Sequence, residues 1–348
     1  MSSTHVQVRL VPNDVVFEVG PGETVLRGAE RQGVSLKYGC RHGNCSTCKY
    51  LVVDGEVDHG AASPYSLSES EREDGWALLC SAVPLEDLVI EDAAPPDERA
   101  RPLILPGRRQ ATVEAVTALG GELVELSVAL DQPLEFHPGQ FVELGVPGSN
   151  GEWRSYSIAT APSGSTHLGF VIEKLAGGAF SGRLGGMSAG EQLALRGPFG
   201  DAYLRSGEGP VLLVAGGGSG IAPILSIVHH AASTGDRRPF TLVYGARQRQ
   251  SLVCLDQIAG VGQQIELQTI CCLSEPGEGE RWDGFVGSVT SAVQHHVRDA
   301  SDLDAYLCGK PEMCDAVRRL LEAKGLPDGH AFADPFFSAI ARSVAPAR

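Results

Sequence analysis

Cys40, Cys45 and Cys48 stand in a C-x4-C-x2-C run, and Cys80 follows 32 positions after the third. That is the ligand spacing of a [2Fe–2S] cluster, where four thiolates converge on two irons and backbone N–H groups point at the sulfurs. A loop wrapped so tightly favours small or flexible residues, and Gly39, Gly43, Asn44 and Ser46 supply them. Zinc is the main rival for a C-x2-C pair. No second C-x2-C or C…H pair stands near Cys80, so zinc and purely structural cysteines remain the minor alternatives. His42 lies inside the loop, but the C-x-H arrangement of a Rieske centre is missing, and it reads as a surface residue. Such a cluster moves single electrons, so other residues must say where the electrons come from.

A second chemical signal lies far along the chain. Val211-Leu212-Leu213-Val214-Ala215 runs into Gly216-Gly217-Gly218-Ser219-Gly220-Ile221-Ala222-Pro223. A buried strand ending in a Gly-rich turn before a helix is where an α/β sheet binds phosphates. The G-x-G-x-x-G dinucleotide pattern is not met, and a tight strand–helix junction is the bland alternative. Cys254, Cys271, Cys272 and Cys314 lack any such context and read as small buried apolar residues.

The elements that must carry these residues fall into three styles. Val6–Leu10 and Val15–Val19 alternate around Pro12-Asn13-Asp14, a hairpin signal. Residues 24–32 read as a short helix with Thr24 as N-cap and Gly33 as its stop. Residues 50–53, turning at Asp54-Gly55, read as another strand, and the set suits a small β-grasp ferredoxin. Residues 112–116, 123–130, 140–146 and 168–173 are strand-like between Gly/Pro turns, which predicts an antiparallel barrel. From Pro210 onward buried strands alternate with helices, which predicts a parallel α/β sheet. The expected fold is therefore multidomain, α+β and α/β. The expected domains are a ferredoxin-like domain over 1–95, a Pro-rich charged linker over 96–107, an antiparallel barrel over 108–205, and a parallel α/β domain with a C-terminal tail over 206–348.

Composition narrows the class. With 348 residues, 43% apolar, the chain can bury several full cores. Its net charge of −15 argues against nucleic acid as a partner. Residues 1–96 hold 15 Asp/Glu against 7 Lys/Arg, an acidic excess that either steers a basic partner or simply keeps the protein soluble. The first ten residues contain no apolar signal region, and the longest apolar run is broken by glycines. The expectation is a cytoplasmic monomer without a membrane span, its thiols kept reduced.

Arg154-Ser155-Tyr156-Ser157 matches R-x-Y-S of the ferredoxin–NADP reductase-like flavoproteins. His137-Pro138-Gly139-Gln140-Phe141 precedes it, and Gly177-Gly178-Ala179-Phe180-Ser181 and Gly197-Pro198-Phe199-Gly200 follow in that superfamily's order. With a ferredoxin ahead of them, the chain resembles the reductase component of bacterial multicomponent oxygenases over about residues 5–337. The resemblance implies that Arg154 holds a flavin phosphate through a bidentate fork. It places Tyr156 against the flavin and Ser157 near its hydride-accepting nitrogen. Gly177 and Gly178 would admit the pyrophosphate, Phe180 and Ser181 would open a helix toward it, and Val171 and Lys174 would add contacts. Gly216, Gly217, Gly218, Gly220 and Pro223 resemble the superfamily's G-G-x-G-x-x-P loop for the nicotinamide cofactor. Cys308-Gly309-Lys310-Pro311-Glu312-Met313 resembles C-G-x-P-x-M, which puts Cys308 beside the nicotinamide with Gly309 next to it. Arg247 would lie near the adenosine half, and Phe336 belongs to a tail that either covers the flavin or joins the core.

The function so implied is an electron relay from NADH through FAD to the cluster at Cys40, Cys45, Cys48 and Cys80. From there electrons pass to an oxygenase or hydroxylase component or an intermediate ferredoxin, with Ser157 and Cys308 at the hydride-transfer point. NADPH use stays open, because Arg247, Arg249 and Ser251 suit a 2′-phosphate and no acid follows until Asp256. FMN in place of FAD is also open. A sugar-deoxygenation reductase keeps the same chemistry, and a redox-sensing regulator is the reading from another class.

Overall fold

Alternation decides the first sheet. In Val6–Val11, Val8 and Leu10 turn inward while Gln7 and Arg9 face water, and Val15–Val19 repeats this with Phe17 and Val19 inside. The computed structural model describes residues 5–39, 41, 43, 47–64, 66–92, 97, 99–102, 104–149, 151–164, 166–277 and 281–336. The chain divides into two compact units, Met1–Leu105 and Pro106–Arg348.

In the first unit five strands lie in the order Val15–Val19, Val6–Val11, Leu88–Glu91, Lys49–Asp54, Trp76–Leu78. Val6–Val11 pairs antiparallel with its hairpin partner and parallel with Leu88–Glu91, giving the mixed sheet of a β-grasp fold. The helix Val25–Arg31 covers it through Val25, Leu26 and Ala29. Gly28 is the point of closest approach, since a Cβ there would sit 2.7 Å from Val19 Cγ2. Thr24 occupies the cap position, but its hydroxyl makes no capping bond and is buried without a hydrogen-bond partner. The reason is that carbonyls already take the first-turn donors: Val25 N–H donates to Ala82 O at 3.0 Å and Leu26 N–H to Leu79 O at 2.9 Å.

The second unit holds two sheets. Six antiparallel strands run in the order Trp153–Ser157, Phe141–Gly145, Gln192–Phe199, Gly107–Gly120, Leu123–Leu130, His167–Glu173. An Ile158–Phe170 bridge joins the two edges, so the sheet closes as a barrel. The other six strands are all parallel, ordered Phe285–Val286, Leu267–Leu273, Phe240–Ala246, Val211–Gly216, Asp304–Gly309, Ala331–Pro335. Every residue of Val211–Gly216 is buried, because helices cover both faces. Leu213 and Ala215 pack with Ile221–Thr234 and Leu255–Val261, whereas Leu212 and Val214 pack with Val289–His296 and Pro311–Glu322. No helix among the described residues is long and apolar enough to cross a membrane.

Candidate functional site

The strand order of the parallel sheet reverses between Val211–Gly216 and Asp304–Gly309. Such a reversal opens a crevice beyond the carboxyl ends of the two strands, where α/β sheets take ligands. Gly216, Gly217, Gly218 and Gly220 leave one of these ends, and Cys308 and Gly309 leave the other. Protein atoms, more than an expected phosphate, account for most of these glycines. A Cβ on Gly216 would lie 2.1 Å from Met313 Sδ, on Gly218 2.1 Å from Leu123 Cδ1, and on Gly220 2.8 Å from the Cys308 carbonyl oxygen. Gly217 differs, with φ +72 and open space around it; its N–H is already donated to the Gly245 carbonyl at 3.1 Å, so it leaves room for a ligand without offering a free donor. Pro223 is buried in the helix that follows.

Gly309 combines a φ of +150 with a Cβ position 2.6 Å from the Gly216 carbonyl oxygen. Gly309→Ala must therefore force apart the two strand ends that frame the crevice and strain its own backbone. We expect a loss of roughly 3 kcal/mol or more in the stability of this unit, checked by denaturant titration of Gly309→Ala against wild type.

The crevice has an acid at its base that the motifs did not disclose. Asp334, on the last strand, is the register partner of Cys308 and accepts a 3.0 Å hydrogen bond from Ser157 Oγ of the barrel. Burial pushes its carboxyl up to about 6, with the serine bond working the other way. Burial also raises the Cys308 thiol, helped by the neighbouring Asp334 and Cys314, so Cys308 is a neutral thiol. Ser157 and Cys308 thus meet through a residue that neither motif contains. The available signal was an acid set among apolar residues in Ala331–Pro335.

On the barrel, Arg154 Nη1 donates to the Trp153 carbonyl at 2.9 Å and Nη2 to Glu152 Oε2 at 3.0 Å, with the side chain about one-third exposed. Tyr156 lies against Phe180 with ring centroids 5.1 Å apart, and burial raises its hydroxyl pKa. Gly177 has φ +75 and open surroundings, a stretch of backbone that an anion can reach. Gly178 is glycine because a Cβ would sit 2.4 Å from Ser181 Oγ. The helix expected at Phe180-Ser181 is only a 3-10 turn, Ser181–Gly186, since Gly182, Gly185 and Gly186 disfavour a longer α-helix. Phe180 belongs to the barrel core and Val171 to the core shared with the parallel sheet. Lys174 Nζ stands 3.6 Å from Glu122. Arg247 is exposed beside Glu275, 3.7 Å away. Phe336 donates its N–H to the Gly309 carbonyl at 2.7 Å, while Phe332 is core, stacked on Tyr306 at 5.0 Å. Phe337 lies outside the described residues.

In the first unit Cys48 and Cys80 are buried, and Cys40, His42, Asn44, Cys45 and Ser46 lie outside the described residues. Gly43 N–H donates to Cys80 Sγ at 3.1 Å, and the Gly43 carbonyl accepts from Ser63 N–H at 2.8 Å. Gly43 itself has φ +74 and a Cβ position 3.0 Å from Ala61 O. Arg41, at φ +61, is paired to Glu30 (Nη2–Oε2 2.9 Å) and stacks over Tyr38 at 5.3 Å. A backbone N–H aimed at a cysteine sulfur is the outer support that an iron–sulfur cluster asks for, so the described residues fit that group. Cys272 and Cys314 are buried as expected; Cys254 and Cys271 are partly exposed, and all four thiols are raised by burial.

An iron–sulfur loop, a flavin-type barrel and a nucleotide-binding sheet define an electron-transferring oxidoreductase, and comparison with known proteins agrees. The family described as 2Fe-2S iron-sulfur cluster binding domain matches residues 8–85, the oxidoreductase FAD-binding domain 110–203 and the oxidoreductase NAD-binding domain 213–319. The reductase component of propane 2-monooxygenase from Mycolicibacterium goodii is 36% identical over 98% of this chain and 99% of its own. The phenol 2-monooxygenase reductase component of Pseudomonas sp. strain CF600 is 34% identical over 95% and 94%. Among solved structures, an Amycolatopsis cytochrome P450 reductase superposes with a TM-score of 0.81 at 30% identity, covering 95% of this chain and 98% of its own. The chain belongs to the ferredoxin-fused, flavin- and NAD(P)H-dependent reductase components of multicomponent oxygenases.

Proposed function

We propose that this reductase accepts hydride at the crevice between barrel and parallel sheet and passes single electrons through the cysteine-bound cluster to the hydroxylase of a hydrocarbon monooxygenase. The propane 2-monooxygenase reductase components, 34–36% identical across the chain, support that acceptor. A cytochrome P450 acceptor is the second reading, favoured by the superposition on the Amycolatopsis P450 reductase. The observation that carries the proposal is the buried Ser157–Asp334 bond, with Cys308 opposite Asp334 in the sheet. When bound, FAD supplies two-electron uptake and one-electron release.

The chain's own residues then divide the work. Ser157 and Asp334 hold a proton between Oγ and Oδ2 in a site closed to water. Cys308, kept neutral, offers the nicotinamide a small polarizable neighbour without a competing charge. Arg154 would exchange its Glu152 contact for the flavin's phosphate, Gly177 would offer open backbone to the pyrophosphate, and Gly217 would leave room beside the nucleotide. Cys40, Cys45, Cys48 and Cys80 hold the cluster.

The test is purification followed by absorption, iron assay and turnover. Flavin and iron–sulfur bands, about two irons per chain and steady NAD(P)H oxidation are expected; an iron-free, zinc-containing protein defeats the proposal. Arg154→Ala should fall to less than about half of wild-type FAD occupancy, through loss of a charge-assisted contact. Undiminished occupancy removes Arg154 from the site.

A further inference from the structure

The segment after Phe240–Ala246, the strand beside the central one, leaves the sheet next to the Gly-rich loop. Ala215 and Gly216 are in register with Tyr244 and Gly245, and Gly217 N–H donates to the Gly245 carbonyl at 3.1 Å. Residues 247–251 therefore leave the sheet alongside the Gly-rich loop. Tyr244, fully buried, ties the two together. Its hydroxyl reaches the Gly218 carbonyl at 3.4 Å and the Ser251 carbonyl at 3.3 Å, and accepts from Val253 N–H at 3.1 Å. The barrel clamps the same segment from outside, because the hairpin tip at Gly120 leaves only 2.6 Å between its Cβ position and the Gln250 carbonyl oxygen. The segment is thus a fixed wall of the nucleotide site.

Its charge is the informative part. A carboxylate in this neighbourhood binds the ribose hydroxyls of NADH and repels a 2′-phosphate, whereas an arginine welcomes one. Residues 247–251 contain Arg247, Arg249 and Ser251 and no acid, and the next acid, Asp256, lies in the first turn of Leu255–Val261. Glu275 is engaged with Arg247 at 3.7 Å, both side chains well exposed. Arg249 has no ion-pair partner among the described residues; it lies over Trp282 at 5.9 Å, whose indole N–H is fixed on the Phe285 carbonyl at 3.0 Å.

We propose that residues 247–251 form a seat for a 2′-phosphate, so that this protein uses NADPH as well as NADH, with Arg249 the principal cation and Arg247 the second. The inference rests on the reductase reading above and deepens it by naming the nucleotide. The seat explains why this wall carries two cations and a hydroxyl on a rigid support: a bidentate guanidinium and Ser251 Oγ are donors for phosphate oxygens.

Holoenzyme assayed with ferricyanide and each nucleotide provides the test. Values of kcat/KM for NADPH and NADH within about twentyfold of each other are expected, and a larger preference for NADH overturns the seat while leaving the reductase reading intact. Oxidation of neither nucleotide would defeat the reductase reading itself. Arg249→Ala should lower the NADPH-to-NADH ratio of kcat/KM by about tenfold or more; an unchanged ratio overturns the assignment. Because the ratio is internal to each preparation, a partly unfolded variant does not disguise the outcome. Adenosine 2′,5′-bisphosphate should inhibit NADH oxidation more strongly than ADP, with the difference shrinking as salt rises, and equal inhibition speaks against the seat.

Discussion

Cys48→Ser should cut NADPH- or NADH-driven cytochrome c reduction by at least about a hundredfold while leaving ferricyanide reduction within about twofold of wild type. The argument begins with placement. Cys48 is almost wholly buried and directly precedes the strand Lys49–Asp54, so its sulfur has no freedom to yield its position to another donor. A serine oxygen at that point is a harder, less easily ionised ligand than thiolate, and iron–sulfur clusters select soft ligands. The loop around it is already docked by the Gly43–Cys80, Gly43–Ser63 and Arg41–Glu30 contacts, so a cluster lost here cannot be rescued by rearrangement. The flavin and nucleotide half belongs to the other compact unit, which has its own cores. It should keep passing hydride-derived electrons to a small oxidant. Iron content and the two assays on one preparation decide the matter. Loss of both activities would show that the halves depend on each other, and survival of both would remove the cluster from the exit path.

Asp334→Asn should move stability and turnover in opposite directions. The folded carboxyl titrates at about 6 against 3.8 for the free group, because burial disfavours the charge. Between those values the folded state holds a proton that the unfolded state has released. The sign follows: this group's contribution is intact below pH 4, declines as pH rises, and is lost beyond pH 6. A separation of about two pH units corresponds to about 3 kcal/mol. Asparagine has no charge to bury and can still pair with Ser157, so the variant should melt roughly 5 °C higher at pH 7 and lose that pH slope. If the Ser157–Asp334 pair moves a proton, the same variant should lose about a hundredfold in NADH–ferricyanide turnover, together with the ionisation near 6 in its kcat/KM profile. A variant that is stabler and fully active would make Asp334 a structural acid only.

The contrast between these two positions shows what the sequence disclosed. R-x-Y-S, G-G-x-G-x-x-P and C-G-x-P-x-M are short local runs that came into view through the resemblance to ferredoxin–NADP reductase-like flavoproteins, whereas the spacing of Cys40, Cys45, Cys48 and Cys80 was legible by itself. The barrel and the parallel sheet were legible for a similar reason: strand alternation and fully buried runs such as Val211–Gly216 record which faces meet water. Asp334 was not legible, because its partner Ser157 is 177 residues away and the pairing exists only once two sheets abut. The Gly-rich loop was read for phosphate, yet Met313, Leu123 and the Cys308 carbonyl supply most of its steric demand, and they come from distant segments. Thr24 failed as a cap for the same reason: backbone carbonyls of residues 79 and 82 had already claimed the donors.

The Leu123 side chain, reaching from a barrel strand into the space where Gly218 lacks a Cβ, has an implication for protein engineering and for descent. Nucleotide modules exchanged among reductases should be tolerated only when donor and recipient match at these two positions. Flavin and pyridine-nucleotide modules should thus have been inherited as a pair.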